Sequence, residues 1–83
     1  MNKIQTNQAK RIRNALRNCG LRRIEMVSHS EFITECEGHE LVISLDCGDW
    51  VIGFEYSTEM TVLTDCRYDY TTQIANYISE NRV

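Results

Sequence analysis

Proline is absent from this chain, and its first 23 residues contain no aspartate or glutamate. No apolar run approaches the roughly 20 residues of a membrane-spanning helix; the longest, residues 50–54, has the length of a strand. The opening segment has no apolar stretch of the kind that marks an export signal, so a cytoplasmic location and no membrane contact are expected. None of the four cysteines, Cys19, Cys36, Cys47 and Cys66, stands in a Cys-x-x-Cys pair. Each lies beside an apolar run, which reads as reduced cysteines acting as small hydrophobes rather than as a disulfide framework. Gly-x-Ser-x-Gly, His-Glu-x-x-His, a phosphate loop and a Gly-rich dinucleotide turn are all missing. The expectation is a protein that is not an enzyme and that carries no cofactor.

Eighty-three residues make a single domain, residues 1–83, without linkers or repeats. A chain of this length buries only about 60–65% of its unfolded surface, leaving little room for an internal active site. Charge is its most uneven property. The net value is −3, yet seven of the nine lysines and arginines fall in residues 1–23. Residues 24–83 hold only Arg67 and Arg82 against twelve carboxylates, a balance of −10. Two oppositely charged surfaces on one small domain follow.

Hydrophobic spacing divides the chain into seven elements. Ala9, Ile12, Leu16 and Cys19 recur at helical spacing, which predicts a helix over 5–19, capped by Thr6 or Asn2 and stopped by Gly20. Residues 21–27, 32–37, 40–45, 50–56 and 60–65 alternate with a period of two. Their spacers are too short for parallel crossovers, so an antiparallel meander is expected. Tyr70, Ile74, Tyr77 and Ile78 mark a last helix over 70–81 with Asp69 as its cap. The fold class is α+β: an N-terminal helix, a five-strand antiparallel meander and a C-terminal helix, with both helices on one face of the sheet.

A two-residue turn at Gly38-His39 sets Cys36 opposite Leu41, Thr34 opposite Ile43 and Phe32 opposite Leu45. The next connection sets Leu45 opposite Trp50 and Ile43 opposite Ile52, and a three-residue loop at 57–59 sets Phe54 against Val62. Ile24 and Met26 point inward only if the loop around His29 exceeds two residues. This register sends Ile33, Val42, Val51 and Leu63 to the uncovered face around Gly53. Glu35, Glu37, Glu40, Asp46, Glu55 and Asp65 surround them, with Glu37, Glu40 and Glu55 in one row. An apolar centre with a charged border is the composition of a binding face, and a mid-strand glycine admits close approach.

The favoured reading is a regulator or inhibitor that engages a basic partner protein, for example a nucleic-acid-binding enzyme. Glu37, Glu40, Glu55, Ile33, Val42 and Val51 are its contact residues. The alternative is nucleic-acid binding through Lys10, Arg13 and Arg17, spaced to meet successive phosphates on one helix side. A further alternative is charge compensation, with the basic helix lying against acidic strands of its own chain or of a second copy in a homodimer or larger homo-oligomer. A zinc site can be drawn from Cys36, His39, Cys47 and Cys66, but only Cys36 and His39 are closely spaced and Cys36 is expected in the core; no metal is expected. Cys47 and Cys66 are the exposed thiols in this reading, and neither has a histidine nearby in sequence to activate it.

Overall fold

A computed structural model describes residues 1–64 and 69–82. In chain order the elements are α1 (Lys3–Asn18), β1 (Arg22–Ser28), β2 (Glu31–Cys36), β3 (His39–Asp46), β4 (Asp49–Phe54), β5 (Thr61–Leu63) and α2 (Tyr70–Asn81). The strands form one antiparallel sheet in the order β1-β2-β3-β4-β5. No described helix is long and apolar enough to cross a membrane.

Both ends of α1 are built by local chemistry. The Asn2 side chain accepts the Gln5 backbone N–H, and Gln5 returns the bond to the Asn2 N–H, forming a capping box. At the other end Gly20 takes φ +78°, which only glycine adopts freely. There the Gly20 and Leu21 N–H groups bond to the carbonyls of Arg17 and Leu16, closing the last turn. Asp69 caps α2 by accepting the Thr72 N–H at 2.7 Å.

The core lies between the helices and one face of the sheet. Ile12, Leu16, Ile74 and Tyr77 meet Phe32, Leu41, Ile43, Trp50, Ile52 and Phe54 there, so both helices cover the same face. α1 rests on β1, α2 on β4 and β5, and the helices touch one another, with the Arg11 guanidinium over the Tyr70 ring. The buried Thr34 hydroxyl is satisfied by the Arg22 carbonyl at 2.8 Å.

The register departs from the sequence-based expectation in three places. The β2–β3 turn closes at Glu37-Gly38, one residue earlier than expected, with φ +54° and +81°; Cys47-Gly48 turns the same way at +52° and +87°. Positive φ at both central residues is what a type I′ hairpin turn requires, and it is met with glycine second rather than first. Cys36 therefore faces His39, Thr34 faces Leu41 and Phe32 faces Ile43. A slip of two leaves every side chain on its expected face but changes its neighbours. At β5 the slip is three, because the connection after Phe54 takes six residues rather than three. Val51 faces Val62 and Trp50 faces Leu63, so Leu63 joins the core (5% exposed) and Val62 stands outside (48%). Third, Ile24 and Met26 reach the inward phase without a longer loop. A bulge between Met26 and Ser28 supplies the extra residue and leaves a two-residue turn at His29-Ser30.

Candidate functional site

The register draws parallel rows across the uncovered face. Glu35 pairs with Glu40, and the Glu55 N–H donates to the Glu40 carbonyl at 2.9 Å, so three carboxylates stand side by side on β2, β3 and the end of β4. The next row runs Glu25, Ile33, Val42 and Gly53. Beyond it lie Glu31, Ser44, Val51 and Val62, and then the Asp46–Asp49 pair. An aliphatic lane thus crosses the sheet diagonally, with acids on both flanks. No helix packs on it, because α1 and α2 occupy the opposite face.

Beside the carboxylate row is an open hollow of about 440 Å³, lined by Glu25, Glu35, Glu40, Glu55, Arg23 and Ile33 among others. Two of its carboxylates have partners: Arg23 Nη1 lies 3.4 Å from Glu35 Oε2, and His39 Nδ1 lies 3.6 Å from Glu55 Oε1. All four side chains are at least 40% exposed, so these pairs are screened and weak. Glu25 and Glu40 have no cation within 4 Å among the described residues. The hollow therefore offers a partner's cations two carboxylates that no described residue pairs and two loosely held ones.

Glu37 does not belong to the expected row. It occupies the left-handed turn position, and its carboxylate meets Arg82 Nε at 3.2 Å beyond the end of α2. Glu35 takes its place opposite Glu40, which is the direct result of the two-residue slip. Leu63 leaves the face and Val62 replaces it. Ile33, Val42, Glu40 and Glu55 stand where the sequence places them, while Val51 keeps its expected phase but is already buried, at 8% exposed. Asp65, also expected here, lies outside the described residues. Gly53 has an internal use: a Cβ at this position runs into Sδ and Cε of Met60, so the loop before β5 packs its own methionine into the gap.

Lys10, Arg13 and Arg17 lie on α1, across the sheet from the carboxylates. None of the three has an acidic group within 4 Å among the described residues. The four residues drawn as a zinc set are not brought together. Cys36 and His39 face each other at one end of β3, while Cys47 follows the other end, about 25 Å away at the rise of an extended strand. Cys66 lies outside the described residues, and no cluster of three metal-binding side chains occurs among the described ones. The exposed Cys47 thiol is pushed up from its ordinary range by its hydrogen bond to the Asp46 carboxylate, and burial pushes up Cys19 and Cys36. All three shifts disfavour the thiolate that nucleophilic chemistry needs.

No protein-family model, no characterised protein and no solved structure matches this chain.

Proposed function

We propose that this is a small, non-enzymatic binding protein, a regulator or inhibitor that engages a basic protein partner through the uncovered face of its sheet. The observation that carries this reading is the row Glu35–Glu40–Glu55 running beside the half-buried Ile33 and Val42 on a face that neither α1 nor α2 covers. Like carboxylates on adjacent strands repel by roughly 0.2–1 kcal/mol per facing pair, an arrangement that a cationic partner relieves. Ile33, Val42 and the exposed Val62 supply desolvation energy, and the acids set orientation and speed encounter. Arginine or lysine side chains of a protein that binds nucleic acid fit this pattern of spaced negative charge.

The test uses the whole chain as bait in a lysate of its host, with three versions compared by mass spectrometry. The wild type and Glu37→Gln, whose carboxylate lies outside the row, are expected to retain the same basic protein. The combined Glu35→Gln, Glu40→Gln and Glu55→Gln variant is expected to lose it. Equal retention by all three refutes the assignment.

A second reading, nucleic-acid binding by α1, has one specific support: Lys10, Arg13 and Arg17 are cations without acidic partners among the described residues, on one side of a helix. It predicts DNA or RNA affinity that falls steeply with salt and disappears when the three residues become alanine. Absence of binding at low salt eliminates it.

A further inference from the structure

The sheet has one long free edge. Among the described residues β1 bonds only to β2, and six of its seven residues are exposed; the opposite edge, β5, is three residues long. No backbone hydrogen bond reaches β1 from beyond β2 among the described residues, so its outer N–H and C=O groups are open to another strand. Register shifts between Arg22 and Glu25 and between Met26 and Ser28 leave Glu25 and Met26 as the regular part of that edge.

Beside this edge, between α1 and the β1–β2 hairpin, lies a groove of about 190 Å³. Ala9 and the buried Phe32 form its floor, and Met26, 51% exposed although its strand phase is inward, forms its wall. Lys10 and Arg13 line the same groove, and Arg17 follows one helical turn on. These are the cations with no acidic partner among the described residues. A backbone edge, an apolar slot and unpaired positive charge thus converge on one border of the molecule.

We infer that this border binds an extended acidic peptide of a partner protein by strand addition. The peptide backbone pairs alongside Glu25 and Met26, and one apolar side chain enters the slot formed by Ala9, Met26 and Phe32. Carboxylates two positions to either side, which share that side chain's face at the strand period, reach Lys10 and Arg13. A nucleic acid uses the cations but leaves the slot and the backbone edge empty, which is why a peptide is the better occupant. The inference does not rest on the carboxylate face across the sheet.

The test follows the fluorescence anisotropy of a fluorescein-labelled synthetic peptide, Glu-Thr-Leu-Thr-Glu with threonine flanks, on titration with the whole protein at low salt. Saturable binding is expected, with amide protection appearing at Glu25 and Met26 or the residues flanking them. Lys10→Gln with Arg13→Gln is expected to weaken it by roughly tenfold, with an unchanged circular dichroism melt showing that the variant folds. A peptide N-methylated at alternate amides, which cannot pair along the edge, is expected not to bind. No binding of the parent peptide, or equal binding of the N-methylated one, overturns the inference. So does oligothymidylate that displaces the peptide and binds more tightly, since that assigns the cations to nucleic acid.

Discussion

The Tyr77 hydroxyl oxygen accepts the backbone N–H of Phe54 at 3.1 Å inside the core. Glu55 donates toward β3, so the N–H of its neighbour Phe54 points the other way, toward β5, whose pairing stops at Ile52–Thr61. α2 supplies from a side chain the acceptor that the short edge strand lacks, and the two rings stack at 5.7 Å. Tyr77→Phe keeps the stacking and leaves a buried donor without a partner. The expected loss is about 1–3 kcal/mol in urea denaturation. Tyr56→Phe, which removes an exposed bond to the Asn81 carbonyl, is the control and loses less.

The carboxylate row should burden the fold. Glu40 faces Glu35 on one side and Glu55 on the other and has no cation of its own among the described residues. Glu40→Gln is expected to raise the melting temperature at low salt, and the gain should shrink as added salt screens the repulsion. A melting temperature unaffected by the substitution at either salt concentration contradicts this account of the row.

Gly53 and Met60 form a testable pair. The atoms a new Cβ meets at position 53 are the end of the flexible Met60 side chain, which can swing aside. Gly53→Ala is therefore expected to change stability by less than about 1 kcal/mol. It should also move the Met60 methyl resonance strongly, because the thioether leaves its niche. In a double-mutant cycle with Met60→Ala the two substitutions should be non-additive by about 0.5 kcal/mol or more.

Acid should act on α2 through Asp69. The Thr72 N–H holds the Asp69 carboxyl below the ordinary carboxylate range, so folding favours its ionised form. The stability it contributes is present above the unfolded-state value, near pH 4, and is lost as the pH falls through the lower folded-state value. Asp69→Asn keeps an oxygen for the cap but does not titrate. Wild type should be the more stable at neutral pH, and the gap should close on acidification. A constant gap across a pH series of thermal melts excludes the assignment.

Element types were legible in the sequence because their signals are local. Asp69 before Tyr70 and Gly20 after Cys19 mark helix ends by their own backbone chemistry, and both act as read. The uncovered face of β2, β3 and β4 was legible because side-chain direction survives a slip of two residues. Neighbours across strands were not, since they depend on where a turn closes: Glu37 accepts a left-handed conformation that favours glycine and asparagine, and nothing local to Glu37 announces it. The face of β5 was hidden because alternation alone cannot say how many residues the preceding loop spends crossing the sheet, and Met60 spends its side chain on Gly53. The β1 edge and its groove emerge only in three dimensions, when the α1 cations are set beside Met26 and Phe32.

Because one thin sheet separates the carboxylate row from the α1 cations, the molecule has the polarity of a bar magnet. Copies drawn together by charge meet cationic side to anionic side, and patches that point in different directions do not close on a two-fold axis. Any charge-driven association of copies is therefore expected to give open rows rather than a closed dimer, and light scattering at rising salt, which shortens the Debye length and should return single molecules, is the measurement that checks it.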